Sequence, residues 1–279
     1  GAFQPFFRAH SHIDTKRREP WMLGEEATQL IRAAVRMRYE YLPLWYTLFF
    51  ENEQTGVPPM RPLWMEFPAD RDGFATDDEY MLGNCLLVHP VTDAGASKVS
   101  VYFPGGEKEV WYDVDTQETY VGGNTITIPV TLAKIPVFQR GGTIIPRKER
   151  IRRCSALGKE DPYTLQIALD KEGDSAEGDL YVDDGVGFRY QNGDRLLLKF
   201  HMKGGTISSK LVEGPGTFKT AAWLERIRVV GYPSKPSKIM LELGSTSEEL
   251  GFQYQENKKL LTIRKPGVNI GAEWTINIH

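Results

Sequence analysis

Two periodicities divide this chain, and the point where one gives way to the other limits what it can fold into. From residue 24 to about 53, apolar residues recur at three- and four-residue steps. Ala27, Leu30, Ile31, Ala34 and Val35 form one stripe of a helix. Glu25 and Glu26 sit in its first turn, where carboxylates meet the positive end of the helix dipole. Pro43 removes a backbone donor and predicts a break near Leu42. The run from Leu44 to Phe50 is apolar nearly all round, as in a helix buried on several sides.

After about Val57 the pattern becomes short β-type runs between Gly, Pro, Asn and Asp turns. Val99 to Phe103 precedes Pro104-Gly105-Gly106, and Gly122-Gly123 precedes Thr125 to Ile128. Val137-Phe138 leads into Gly141-Gly142 and then Thr143-Ile144-Ile145-Pro146. Thr164 to Leu169, Leu180 to Val182 and Leu198 to Met202 continue the alternation to Trp274–Ile278. The connections are of sandwich length. The charged run Arg147 to Arg153 marks a boundary, read as a solvated surface segment rather than a docking patch. A mostly β chain follows: a helical segment over 1–57, one β sandwich over 58–148 and a second over 149–279. A helix pair as small as the first segment cannot bury its own apolar faces, so it reads as the end of a larger domain.

Composition narrows the function classes. A net charge of −3 argues against nucleic acid, which calls for a basic face. No apolar run approaches the roughly 20 residues of a membrane span. Cys85 and Cys154 are the only cysteines and make no disulfide framework; Cys85, inside Cys85-Leu86-Leu87-Val88, reads as a buried thiol. Gly1-Ala2-Phe3 has no initiator Met and no basic leader region, and reads as an internal cut.

The densest polar cluster runs from Arg8 to Trp21. On an extended chain His10, His12 and Asp14 share a face and could ligate a metal, but no further ligand cluster completes such a site, and His12 reads as structural. No G-x-S-x-G, Cys–His pair or phosphate-binding glycine loop is present. Asp77-Asp78, Asp113/Asp115 and Asp183-Asp184 are the carboxylate pairs available for glycoside chemistry. Asp183-Asp184-Gly185 is better explained as a turn between strands, with a calcium site as the lesser alternative.

Gly1 to His10 with Arg17-Arg18-Glu19-Pro20-Trp21, then Tyr41 to Tyr46, Pro58 to Trp64, Tyr80 to Asn84, Ile135 to Pro146 and Tyr181 to Gly185, resemble glycoside hydrolase family 31 over about residues 1–190. Arg17 to Trp21 is most similar to the glucosidase II branch. The resemblance implies the C-terminal end of a (β/α)8 barrel followed by proximal and distal β sandwiches. It implies retaining hydrolysis of α-linked glucose, trimming α-1,3-linked glucose from N-glycans in the endoplasmic reticulum lumen. Both family carboxylate motifs would lie upstream of Gly1, so no catalytic residue is expected in this chain, nor a metal or cofactor. His10 matches the His of the family's Arg-x-His motif, which hydrogen-bonds the sugar in the −1 subsite; Arg8 would hold that loop or a neighbouring carboxylate. The implied partners are the N-terminal remainder of the catalytic subunit, a noncatalytic β subunit and a glucosylated N-glycan. The C-terminal Ile276-Asn277-Ile278-His279 lacks a retention tetrapeptide, which retention by a partner would fit. On its own the chain is expected to expose Leu44 to Phe50 and aggregate. A carbohydrate-binding module, an interaction domain, and a lysosomal-type α-glucosidase, α-xylosidase or α-glucan lyase are the competing readings.

Overall fold

The computed structural model describes residues 1–212 and 218–279. Residues 1–19 form turns and irregular backbone with no strand, followed by a 3-10 turn at Pro20–Leu23. Helix α1 spans Glu25–Glu40 and helix α2 spans Leu42–Thr55. The break falls at Tyr41, and Pro43 occupies the first turn of α2, where a missing N–H costs nothing. Gly56 closes α2 in the left-handed region at φ 78°.

The first β unit has a six-stranded antiparallel sheet in the order Met60–Arg61, Tyr80–Leu82, Leu86–Val88, Val137–Arg140, Val110–Asp113, Thr119–Val121. A two-stranded ribbon, Lys98–Phe103 with Asn124–Pro129, covers one face. The strand period of two explains its layers. Met81, Leu87, Phe138 and Trp111 point to the ribbon and bury Val101, Phe103 and Ile128. Leu82, Leu86, Val88 and Val137 point the other way and bury Tyr41, Leu44, Trp45 and Leu48 of the helical segment. The sheet is therefore apolar on both faces, and its strands read as runs rather than alternations. A short helix, α3 at Leu63–Glu66, and a 3-10 turn at Arg71–Ala75 interrupt a stretch whose sequence reads as all β.

The second unit is one continuous eleven-stranded sheet. It curls so that strands from both halves share a core, with Leu198, Phe200 and Ile207 packed in the same cluster as Ile227, Leu261 and Ile263. Strand pairing changes sheet at Gly141-Gly142, ahead of the charged run. Thr143–Arg147 pairs with Tyr163–Ala168, not with the first unit. Gly141 permits this crossing: a Cβ there would lie 2.3 Å from Val110 Cγ1 and 2.7 Å from the Leu169 carbonyl.

The charged run is solvent-exposed from Arg150 to Arg153 and partly buried from Arg147 to Glu149, and ion pairs pin it along its length. Arg147 pairs with Glu40, Arg150 with Glu225 and Arg152 with Asp161. Lys148 donates to the carbonyls of Gly158 and Lys159 at 2.9 and 2.8 Å. The expected exposure of Leu44 to Phe50 is corrected. Leu44, Trp45 and Leu48 are buried against the first sheet, and only Tyr46 and Phe49 stay substantially open. Cys85 is a buried free thiol, pushed up to about 12 by desolvation, and Cys154 is free and exposed.

Candidate functional site: the N-terminal loop and the tyrosine clamp

The loop carrying Arg8 and His10 is anchored at its root and open at its tip. Ala2 and Phe3 are buried, Tyr80 donates its hydroxyl to the Phe3 carbonyl at 2.8 Å, and the Phe3 and Tyr41 rings lie 5.7 Å apart. Arg38 on α1 reaches across and clasps the loop. Its Nη1 donates to the carbonyls of Ala2 and Gln4 at 2.9 and 2.7 Å, and its Nη2 to Pro5 at 3.2 Å. The same guanidinium lies 5.0 Å from the Phe7 ring centroid and 4.8 Å from that of Trp45. Its fixed fork of donors suits several carbonyls at once. Burial holds the Arg38 guanidinium below its ordinary pKa.

Past that clasp the loop is solvent-facing. Arg8 stacks on Phe6 at 5.1 Å and reaches no carboxylate among the described residues. Arg18 Nη2 donates to the His10 carbonyl at 2.8 Å, which holds the backbone and leaves the His10 imidazole without a partner among the described residues. His12 turns to Asp14 instead: its Nδ1 accepts the Asp14 N–H at 3.3 Å. His10, His12 and Asp14 thus do not converge. The one group among the described residues with ligand atoms close enough for a metal is Asp78, Glu79 and His89, all within 4.8 Å.

Around the loop, α1 buries none of its residues completely, and Phe6, Ile13, Trp21 and Leu23 stand exposed. The loop that carries the His10 imidazole thus also carries exposed apolar side chains, a combination suited to a pocket wall completed from outside these residues.

Two of the three carboxylate pairs are committed elsewhere. Asp183 is buried and accepts hydroxyls from Tyr46 and Tyr181 and the N–H of Gly185, all at 2.7 Å. Asp184 accepts the N–H groups of Val186 and Gly187 at 2.9 Å and an Arg189 donor. Those two backbone donors pull its carboxyl down to about 2. Burial, reinforced by Asp183, raises the Tyr46 hydroxyl above its usual range. Asp113 is held by Lys134 at 2.8 Å and by the Asp115 and Thr116 amides. The Asp183 network is a clamp: it fastens α2 to the second β unit, together with the Tyr181 N–H on Thr47 Oγ1 at 3.0 Å and the Phe50–Tyr181 stack at 4.0 Å. Beside it runs a groove of about 460 Å³ lined by Trp45, Tyr46 and Phe49 and by the turn at Asp183-Asp184-Gly185.

Comparison with known proteins settles the lineage. Residues 1–48 match the TIM-barrel domain of glycosyl hydrolases family 31, and residues 56–145 match the family 31 C-terminal domain. The chain belongs to glycoside hydrolase family 31. It is 49% identical over its whole length to neutral alpha-glucosidase AB of Sus scrofa, and 44% identical to a probable glucan 1,3-alpha-glucosidase of Arabidopsis thaliana. It spans 29% and 31% of those two proteins. A solved glucosidase II alpha subunit in a Glc1Man2-bound form superposes at a TM-score of 0.93 with 35% identity, covering all of this chain and 32% of that one. These relatives align with the chain through the second β unit to its end, beyond the residues that the two family models match.

Sequence reasoning missed Arg38 and Arg18, which fix the loop. Arg18 lies inside the Arg17 to Trp21 run, so its signal was present; Arg38 carried none, because it reaches carbonyls more than thirty residues away.

Proposed function

We propose that this chain is the C-terminal part of a retaining α-glucosidase of the glucosidase II type, trimming α-1,3-linked glucose from N-glycans in the endoplasmic reticulum. In this reading residues 1–57 close a (β/α)8 barrel, residues 58–148 form the proximal sandwich and residues 149–279 the distal one. The strand Thr143–Arg147, at the end of the proximal segment, hydrogen-bonds into the distal sheet. The barrel strands, the nucleophile and the acid/base carboxylate come from the portion of the relatives that this chain does not span. His10 presents its imidazole to glucose hydroxyls, where it can donate or accept. Arg8 holds the loop or a carboxylate brought by the rest of the barrel. Sites of this kind are built on loops at the C-terminal face of a barrel.

The observation that carries the reading is the His10 loop itself: backbone clasped by Arg38 and Arg18, imidazole free, exposed apolar side chains along it. The names of the relatives point the same way. A solved heterodimer of the catalytic subunit with the binding domain of its regulatory subunit, at a TM-score of 0.93, supports a noncatalytic partner. Retention through that partner would account for residence in the endoplasmic reticulum.

Retaining hydrolysis needs two carboxyls about 5–5.5 Å apart with sugar between them. Asp183 and Asp184 are spent on the clamp and turn. Residues 1–279 alone should therefore not turn over a chromogenic α-glucoside, whereas the enzyme completed by its upstream part should, and should keep its turnover number in Asp184→Asn. Turnover by residues 1–279 alone, abolished by Asp184→Asn, would refute the reading.

A further inference from the structure

A second cleft, far from the loop in character, lies where the first sandwich meets the outer face of the curled sheet. Its volume is about 450 Å³. Its floor is built from strands Tyr163–Ala168, Leu224–Val230 and Leu260–Arg264, which lie side by side. Ile227 and Val229 of the middle strand face the core, so Arg226 and Arg228 face the cleft. Arg226 sits directly across from Arg264 in the antiparallel register. Like charges so placed repel one another and weaken the sheet. Arg147 and Lys258 also line the cleft, and among the described residues no carboxylate does.

The compensation available inside the protein is incomplete. Glu149 accepts Arg226 Nη1 at 2.9 Å and Arg228 Nη1 at 2.8 Å, and lies 4.0 Å from Arg147, which Glu40 also pairs. Two carboxylates from outside the lining thus pair three of its five cationic side chains. Among the described residues Arg264 has only the Gln253 amide oxygen, at 2.7 Å, and Lys258 only that of Gln117, at 3.2 Å. Burial holds the Arg228 guanidinium below its usual value; Glu149 opposes this, while Arg147 and Arg226 add to it. Each guanidinium has five N–H donors, of which the carboxylates use few.

The remaining lining is amide and hydroxyl. Gln166 neighbours Arg228, which in turn neighbours Thr262, and Gln253 lies across from Thr262. Gln117 reaches in from the first sandwich with its backbone at φ 64°, a conformation uncommon outside glycine. Among the described residues no aromatic ring lines the cleft to stack on a nucleobase. The volume lies in the range of small-ligand sites.

We propose that this cleft binds a phosphorylated sugar, with Arg226, Arg228 and Arg264 on the phosphate and the glutamine amides on the hydroxyls. Guanidinium forks match phosphate oxygens two at a time, and an anion at this point relieves the repulsion across the register. The site is separate from the His10 loop and stands whether or not the glucosidase reading does.

The test is calorimetric titration of the complete protein with glucose 6-phosphate, inorganic phosphate and glucose. Saturable binding of glucose 6-phosphate is expected, at least tenfold tighter than inorganic phosphate and weakened by added salt. Arg264→Gln with Lys258→Gln breaks no ion pair in the cleft. That variant should melt like the parent and lose at least tenfold in affinity. No saturable binding, equal affinity for the two phosphates, or unchanged affinity in the folded double variant would overturn the proposal.

Discussion

Replacing Arg38 with Ala separates a loop that serves a site from a loop that merely covers a surface. The side chain makes three bonds to carbonyls of the N-terminal loop and contacts two rings. Arg38 is partly solvent-exposed, so each bond is taken at the low end, about 1 kcal/mol, and each ring contact at about 0.5 kcal/mol. The total is about 4 kcal/mol. The released loop regains backbone freedom worth about 1–2 kcal/mol for each residue that loosens, leaving a net cost of about 2 kcal/mol for holding it in place. If His10 must be ordered to meet the sugar in the transition state, that cost appears in kcat/KM as a loss of about 10- to 100-fold. The assay is steady-state hydrolysis of a small α-glucoside by the complete enzyme, alongside a thermal melt. Arg38→Lys, which keeps the charge but not the fork, should fall between parent and Ala. Arg36→Ala, exposed on the same helix, should behave like the parent. A lower melting temperature for Arg38→Ala with unchanged kcat/KM would show that the clasp is structural only and that the loop is no part of the site.

Two other predictions concern the second β unit. Gly178 lies against the backbone of Thr143–Arg147: an added Cβ would sit 1.9 Å from the Ile144 carbonyl oxygen, and that atom cannot rotate away. Gly178→Ala should cost about 4 kcal/mol or more and lower the melting temperature by at least about 8 °C, as read by thermal shift; a melt within about 2 °C of the parent would contradict the packing. Lys148 is lowered to about 8 by burial. Its folded pKa lies below its unfolded one, so protonation opposes folding at low pH, and the stability it withholds returns as pH rises from about 8 toward 10.5. Denaturant midpoints should rise across that window in the parent and show a smaller rise in Lys148→Met; equal slopes would refute the assignment.

How much of this was legible in the sequence depended on the range of the interaction. The helical stripe from Ala27 to Val35 and the break before Pro43 are local, and both were readable. So was the strand Leu196–Lys203, whose burial alternates residue by residue. The partner sheet of Thr143–Arg147 was not readable, since Ile144, Ile145 and Pro146 are buried whichever sheet they join. What decides it is the crossing at Gly141, a contact with Val110 and Leu169 that no local pattern encodes. The ion pairs of the charged run were not readable either, because its partners, Glu40, Glu225 and Asp161, lie on three separate elements. At the site, periodicity is silent about His10; the residue emerged through the likeness of its motif to family 31. Asp183-Asp184 was correctly read as turn chemistry, but its grip on Tyr46 and Tyr181 depends on α2 packing against the second β unit.

In the proposed function this chain brings His10, and no catalytic carboxylate, to a sugar site completed by the rest of the enzyme. Measuring kcat/KM of His10→Ala in the complete enzyme on a small α-glucoside tests it most directly. Loss of one aligned polar contact in the transition state predicts a cost of roughly 2–4 kcal/mol, or about 30- to 1,000-fold, with the melting temperature unchanged. A folded His10→Ala enzyme with the kcat/KM of its parent would contradict the account.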